Sequence, residues 1–346
     1  MRRRREQATS YQEGGLRLES RTVPSSLFLP ARLHSARGYF AIAGATFCWG
    51  VSATLGRAAF TGRLLPGRQT LAPVDPLILS QTRVTFAFLV FLAVLLWRRG
   101  GRRLRLPTAD CGRMLLLGVL GVAASNYFYY LAIQRTNVAT AIMVQYTAPV
   151  WVLLYMVARR LQRPTRSRLV AVALVVTGIA LVIGRFGRNG QYLDRMGLLA
   201  ALLTAFSFAL YNVGAHRLLR RYDHWMVLLY MTGSASLFWI VVNPPGKVLA
   251  EHYSGEQWLF LLVFSVVSLL VPFSLYIGGL RYLDPTRAVV VSCLEPVFSV
   301  VIAALVLGEL VHPLQMFGIV LVLVAIVVVQ MPDRGSGDTV VVEPIE

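Results

Sequence analysis

Charged residues and cysteine are both scarce in this chain. Only 14% of its 346 residues are charged, whereas 56% are hydrophobic, and the mean hydropathy is +0.61. Soluble domains carry about a quarter charged residues, so this composition excludes an ordinary water-soluble fold and indicates a membrane protein. The three cysteines, Cys48, Cys111 and Cys293, are too few and too scattered for a disulfide framework or a metal cluster.

Motifs for ATP hydrolysis, metal binding and acid–base catalysis are also missing. The sequence has no GxxxxGK[ST] motif, so ATP-driven pumping by this chain is not expected. No cofactor or metal is predicted, because the five histidines lack metal-ligand spacing. An intramembrane enzyme would need clustered histidines or paired acids, and the apolar runs offer one acid, Glu295. We therefore expect a protein that is not an enzyme.

Lysine is nearly absent, because 33 of the 34 basic residues are arginine. The net charge of +18 would point to a nucleic-acid partner in a soluble protein. Here the arginines lie between apolar runs, where they would flank helices at the lipid headgroups, so the expected contact is membrane lipid and no nucleic acid. Residues 1–37 are predicted to form a disordered basic tail, which either fixes the topology alone or also binds anionic lipid.

The apolar runs predict an all-α membrane protein with ten transmembrane helices. About 20 apolar residues cross a hydrocarbon core of roughly 30 Å at 1.5 Å per residue. The predicted spans are Tyr39–Leu55, Pro76–Trp97, Met114–Ile133, Val138–Ala158, Leu169–Ile183, Met196–Ala215, Trp225–Val242, Trp258–Leu280, Ala288–Leu307 and Leu314–Met331. Residues 332–346 are polar and are predicted to form a second disordered tail.

The distribution of basic residues predicts the orientation of these spans. With the N-terminus in the cytoplasm, 25 basic residues fall on the cytoplasmic side and eight on the opposite side. The positive-inside rule then places both termini in the cytoplasm of a multi-pass protein in a cell membrane, either plasma or inner.

An internal repeat relates the two halves of the chain. Residues 129–150 match residues 276–297 at a constant offset of 147, with Tyr129 opposite Tyr276 and Pro149 opposite Pro296. Each half has five predicted spans, and an odd number reverses the direction in which the second copy enters the membrane. The sequence therefore predicts two inverted five-helix repeats, 38–185 and 197–331, an architecture typical of secondary transporters.

Three segments resemble the EamA type of the drug/metabolite transporter superfamily. They are Phe47-Cys48-Trp49-Gly50, the Arg83–Phe86 segment, and Leu294-Glu295-Pro296-Val297-Phe298 followed by Leu307-Gly308-Glu309. The resemblance covers about residues 38–331 and implies export or uptake of small metabolites, such as amino acids or amines, without ATP. The first half departs from the second, since it has Ala148 in place of Glu295 and Leu161-Gln162 in place of Gly308-Glu309.

Two ionisable residues within the predicted spans are candidates for substrate binding. A charge in the hydrocarbon core costs about 2.5–3.5 kcal/mol, so each of these residues is expected to have a functional or structural role. We expect Glu295 either to bind an amine or exchange a proton, the predicted coupling ion, or to hold helices together. Helical spacing places Ser292 on its face, and Gln145 occupies the matching face of the fourth span. Arg83 either pairs with Glu295, contacts substrate, or reaches outward along its stem.

Aromatic residues and prolines are further candidates for the predicted substrate path through the membrane. Ring faces and hydroxyls suit a cation or an apolar side chain, and the candidates are Trp49, Tyr127, Tyr130, Tyr146, Tyr211 and Tyr276. Pro149 and Pro296 each remove a helical hydrogen bond, so they form either hinges for alternating access or fixed bends.

Two classes of function remain from the sequence. The favoured one is a secondary active transporter of a small metabolite; the alternative is a non-transporting receptor, scaffold or channel. A monomer and a homodimer are both compatible with the two-repeat architecture.

Overall fold

The computed structural model is almost entirely helical. It describes residues 28–65, 68–69, 73–99, 108–160, 165–184, 194–219, 221–280, 282, 291–292, 294–309, 311 and 313–330. Cys293, the predicted tail 332–346 and the predicted start of the ninth span, 288–290, lie outside these residues.

Helices account for nearly all of the described chain. They are α1 (Phe28–Thr61), α2 (Pro76–Arg99), α3 (Thr108–Leu117), α4 (Ala124–Arg135), α5 (Val138–Gln145), α6 (Ala148–Ala158), α7 (Arg166–Gly184), α8 (Arg195–Leu219), α9 (His224–Val242), α10 (Pro245–Ala250), α11 (Gly255–Ser265), α12 (Val271–Leu280), α13 (Leu294–Leu307) and α14 (Pro313–Gln330). Two short antiparallel strands, β1 (Arg63–Leu65) and β2 (Arg68–Gln69), follow α1.

The apolar helices match a multi-pass membrane protein. Seven helical segments of the described chain are long and apolar enough to cross a bilayer, and there are three shorter apolar segments, Leu169–Leu181, Leu294–Leu307 and Pro313–Ala325. Many large apolar side chains are exposed, including Trp97 at 86% and Phe40 at 79%. Such outward-facing side chains are what a lipid-facing surface requires.

Helix α1 begins earlier than the sequence predicts. It starts at Phe28, so residues 28–37, which the sequence assigns to the disordered tail, are helical. Pro30 stands in the first turn of α1, where a missing backbone N–H costs no intrahelical bond. The proline therefore marks the start of this helix.

Helix packing repeats when the two halves are exchanged. Helix α1 packs on α12, and its counterpart α8 packs on α4; α1 also packs on α13, and α8 on α5 and α6. The second helices, α2 and α9, pack on each other, as do the fifth helices, α7 and α14. The first helix of each half thus lies against the third and fourth spans of the other half.

Both third spans contain a π-helical turn. Gly118–Ala123 joins α3 to α4, and Val266–Leu270 joins α11 to α12. The two turns coincide at the offset of 147 residues that relates the halves. A π-turn widens the helix and releases backbone carbonyls from the regular ladder, and such turns are frequent at functional sites.

The fourth span is broken in two. Helix α5 ends at Gln145, Tyr146 and Thr147 form a turn, and α6 starts at Ala148 with Pro149 in its first turn. In the second half helical residues lie on both sides of Pro296, at 291–292 and in α13 (Leu294–Leu307). Pro149 therefore stands at a helix start, whereas the sequence predicts it near the middle of a continuous helix.

Candidate functional site

A carboxylate and a phenol meet where the break in the fourth span faces α13. Tyr146, in the turn after α5, donates its hydroxyl to Glu295 Oε2 at 2.8 Å. Glu295 lies in α13, and residues 291–292 before it are also helical. The pair thus joins corresponding regions of the two halves through an acid that is partly buried.

Three more predicted residues surround this pair. The Tyr146 hydroxyl is also 3.2 Å from the Ser292 carbonyl oxygen, and Ser292 is within hydrogen-bonding reach of Tyr276 on α12. Trp49 on α1 packs its ring against Tyr276, with the ring centroids 5.8 Å apart. We call Glu295, Tyr146, Ser292, Tyr276 and Trp49 the central cluster. It combines one acid, two phenols, one serine and an indole.

Arg83 on α2 lies apart from the Glu295 carboxylate and joins the two π-turns. Its side chain donates from Nε to Ser268 Oγ at 2.7 Å and from Nη2 to the Ser268 carbonyl at 2.8 Å. Nη1 donates to Asn126 Oδ1, and Asn126 Nδ2 donates to the Val122 carbonyl at 2.8 Å. Ser268 and Val122 belong to the two π-turns.

These bonds correct two expectations about Arg83. The residue is only 8% exposed, so it does not extend outward to the membrane surface. Its bonds in the described chain go to Asn126 and Ser268, and it forms no direct ion pair with Glu295. The sequence could not show this, because a π-turn exposes backbone acceptors inside the bundle that a regular helix would hide.

Two adjacent tyrosines on α4 connect Arg83 to the central cluster. The Arg83 guanidinium lies over the Tyr130 ring, 5.6 Å from its centroid, which is a cation–π geometry. Tyr129 and Tyr130 are both close enough to Arg83 and Glu295 to interact with each charge. The positive and negative groups of the membrane interior therefore face one shared aromatic region.

Tyr130 is also a core residue. It is 1% exposed, and its ring packs edge-on against Phe60 and Phe264. A Cβ added to Gly56 would lie 2.8 Å from this ring, so α1 approaches α4 closely here.

The structure places two other predicted residues away from the central cluster. Tyr127 packs its ring against Trp239 on α9, with centroids 5.7 Å apart. Tyr211 on α8 stacks on Phe208 and lies against Gly121 in the first π-turn. Both tyrosines thus serve helix packing in this conformation.

Two of the buried polar atoms that have no hydrogen-bond partner among the residues that the structure describes lie close in sequence to Tyr146 and Glu295. They are Gln145 Oε1, next to Tyr146 in the chain, and Ser299 Oγ, one helical turn after Glu295. A buried polar atom without a partner costs about 1–3 kcal/mol, so such atoms are available to a ligand. No group of three metal-ligating side chains occurs within the described ranges.

Sequence reasoning missed several residues that organise this region. Tyr129 carried a usable signal, because the repeat pairs it with Tyr276 of the central cluster. Asn126 and Ser268 carried none, because an Asn or Ser within an apolar run is usually bonded to its own helix. Their importance arises from the position of Arg83.

Known proteins share both the sequence pattern and the fold of this chain. The model of the EamA-like transporter family matches residues 36–184 and 195–331. An uncharacterized inner membrane transporter of Salmonella typhimurium, YicL, is 24% identical over 227 residues, which cover 65% of this chain and 75% of the relative. The threonine/homoserine exporter RhtA of Escherichia coli K12 is 25% identical over 228 residues, covering 64% of this chain and 70% of the exporter.

A known crystal structure has a similar fold. It superposes with a TM-score of 0.55 at 19% sequence identity and covers 86% of this chain and 95% of its own. At that identity the likeness concerns the fold alone.

Proposed function

The chain belongs to the EamA-like transporter family, and on this premise we propose that it is a secondary transporter of a small amine-bearing metabolite, such as an amino acid. The transporter works by alternating access, and Glu295 binds the amine. The single observation that carries the proposal is the contact of Glu295 with Tyr146 between the fourth and ninth spans. An acid at this position has a partner both without and with substrate. The Tyr146 phenol bonds it when substrate is absent, and the amine bonds it when substrate is present.

The central cluster has the chemistry that an amine requires. A primary ammonium has three N–H donors and a positive charge, and Glu295 supplies an anionic acceptor. Gln145 Oε1 and Ser299 Oγ supply polar atoms without partners in the described chain, and the rings of Trp49 and Tyr276 supply faces for the cation. The exporter RhtA acts on threonine and homoserine by its name, and both carry an amine.

The path is proposed to run between two inverted five-helix halves, 38–185 and 197–331. The exchange symmetry of the helix contacts supports this arrangement, because equivalent helices make equivalent contacts in both halves. In the proposed topology the three shorter apolar segments also cross the bilayer, giving ten spans, and both termini are cytoplasmic. Pro149, at the start of α6, and Pro296, at the matching position in α13, are the proposed hinges that let one half rock against the other.

Protons are the proposed coupling ion. Glu295 is the acid of the central cluster, and a carboxylate that binds either a proton or an amine exchanges one for the other. Opposite movement of the two cations across the membrane would then be coupled without ATP. The prediction that Arg83 contacts the substrate stays a prediction, since three of its five N–H donors already bond Asn126 and Ser268.

Flux measurements in proteoliposomes test this function. Purified protein is reconstituted, a proton gradient is imposed, and uptake and efflux of labelled amino acids and amines are followed with and without a protonophore. We expect flux of at least one amine against its own gradient, and its collapse when the protonophore is added. Flux that only runs down the substrate gradient would indicate a channel. Absence of flux across the whole panel would contradict an amine transporter.

A further inference from the structure

A charged network joins four segments at the end of the bundle where α1 ends. Arg57 Nε of α1 bonds Glu309 Oε1, in the turn after α13, at 2.9 Å. Arg57 Nη1 donates to the carbonyls of Ile133 and Gln134 at 2.6 and 2.7 Å, and the Val138 backbone N–H donates to Glu309 Oε2 at 3.2 Å. The two charged side chains are 20% and 21% exposed.

Each charge of this pair lies at a helix end of the opposite polarity. Arg57 bonds carbonyls in the last turn of α4, which carries the negative end of the helix dipole. Glu309 accepts from the first N–H of α5, at a positive end. The pair therefore connects the turn between α4 and α5 to α1 and to the segment after α13.

The backbone before Glu309 is shaped for this contact. Gly308 has φ +67°, a left-handed conformation that costs a residue with a side chain about 1–2 kcal/mol. A Cβ at Gly308 would meet nothing within 4 Å, so the glycine is required by its conformation and not by lack of space. This turn directs the Glu309 carboxylate back toward Arg57.

The other half lacks this charge pair in its sequence. At the offset of 147, Glu309 corresponds to Gln162, and the alignment of the two first helices places His216 opposite Arg57. If the halves are inverted, these residues belong to the other face of the membrane. An ion pair of this type is therefore a property of one end of the path.

Space adjoins the carboxylate on its α13 side. A small cavity of about 20 Å³ is lined in part by Glu309, Asn137, Gln315, Val300 and Ala303. The partly exposed Glu309 carboxylate is therefore not enclosed by packed side chains on this side.

We propose that Arg57 and Glu309 form the gate at the end of the path opposite the two termini, and that their separation opens that end. The inference rests on the alternating-access mechanism above. Separating the pair would detach α1 and the α13 end from the α4–α5 turn. In axial order Ser299 lies between Glu309 and the central cluster, so it would gain access to that face of the membrane.

Cysteine labelling tests the gate without any knowledge of the substrate. Cys48, Cys111 and Cys293 are replaced by alanine, and Ser299→Cys is introduced as the reporter, since Ser299 is 0% exposed in this structure. A membrane-impermeant maleimide is added to intact cells and to inverted vesicles. Test variants are Arg57→Gln, Glu309→Gln and the charge swap Arg57→Glu/Glu309→Arg. Asp194→Asn is the control, because it breaks the exposed Arg135–Asp194 pair.

We expect Glu309→Gln to raise the labelling rate from outside the cell about tenfold, as removing one partner destabilises a partly buried ion pair. The charge swap should return the rate toward that of the parent, and Asp194→Asn should leave it unchanged. Glu309→Gln keeps an acceptor for the Val138 N–H, so the variant remains informative if Arg57→Gln fails to fold. An unchanged labelling rate in Glu309→Gln would overturn the gate, whereas failure to find a transported amine would contradict only the proposed substrate.

Discussion

At the scale of single residues, the proposed transport function depends on how the Glu295 carboxylate is oriented inside the helix bundle. Glu295 has the Tyr146 hydroxyl as a donor at 2.8 Å. The phenol holds the carboxylate in one orientation and can release it to a stronger cationic partner. In the proposed function the acid therefore supplies binding energy, and the phenol supplies geometry.

Removal of the phenol oxygen tests this division of roles. Tyr146→Phe keeps the ring but removes the donor to Glu295, and hydrogen bonds to charged groups contribute about 1.5–3 kcal/mol. We expect the KM for a transported amine to rise about tenfold with a smaller change in kcat. Tyr155→Phe is the matched control, because Tyr155 is 38% exposed on α6. An unaltered KM in Tyr146→Phe would show that the phenol does not orient the acid.

At the scale of helices, the paired π-turns and the close contacts of α1 hold the two halves together. The π-turns release the Ser268 carbonyl and place Asn126, and Arg83 bonds to both. Small residues allow α1 to lie directly against α13 and α12. The Arg83 hydrogen bonds and the close packing of α1 both act across the interface between the halves.

The hydrogen bonds of Arg83 to Ser268 and Asn126 are expected to stabilise the fold. Ser268→Ala removes one acceptor of Arg83 but leaves the Ser268 carbonyl in place, so we expect a loss of about 1–3 kcal/mol and a lower midpoint of thermal denaturation in detergent. Ser274→Ala serves as the control, since its hydroxyl bonds the Leu270 carbonyl on an exposed face of α12. Equal midpoints of thermal denaturation for the two variants would argue against a stabilising role of the Arg83 hydrogen bonds.

Gly50 is expected to control the approach of α1 to α13. A Cβ at Gly50 would lie 2.9 Å from Phe298 Cβ and 3.0 Å from the Ser299 nitrogen. Gly50→Ala should therefore force the helices apart and cost about 1–3 kcal/mol, measured by thermal denaturation of purified protein. Gly278→Ala, whose Cβ would meet nothing within 4 Å, should be tolerated. Comparable losses in both variants would mean that helix propensity, and not the contact, limits stability.

At the scale of the whole molecule, the proposed topology rests on the distribution of arginine. Reporter domains fused before residue 28 and after residue 330 should both be active in the cytoplasm, because 25 basic residues then lie on that side and eight on the other. Fusions after Thr61 and Val242 should report from outside the cell. A cytoplasmic signal from both of these loops would contradict the orientation.

Long apolar helices were predictable from the sequence, and contacts between distant residues were not. The predicted span Trp225–Val242 corresponds to α9, His224–Val242, because its ends are marked by polar residues on both sides. The break at Tyr146–Thr147 and the two π-turns escaped prediction, since hydropathy does not distinguish them from regular helix. Arg57 and Glu309 are 252 residues apart in the chain, so only the fold brings them together.

The candidate site was predictable to a different degree for each residue. Glu295 could be singled out from the sequence, because an acid within an apolar run is costly to bury and demands a reason. The ring directions of Tyr127 and Tyr211 depend on the neighbouring helices α9 and α3, and no local pattern encodes them. Whether the central cluster binds substrate stays a prediction.

The most direct test of the central claim is transport by Glu295→Gln. Counterflow of the transported amine is measured in proteoliposomes for the parent protein, Glu295→Gln and Glu256→Gln, the last being an exposed acid in the first turn of α11. The amide keeps the size of the side chain but removes the charge that binds the amine. The account predicts that Glu295→Gln loses counterflow while Glu256→Gln retains it; counterflow at the parental rate in Glu295→Gln would contradict the account.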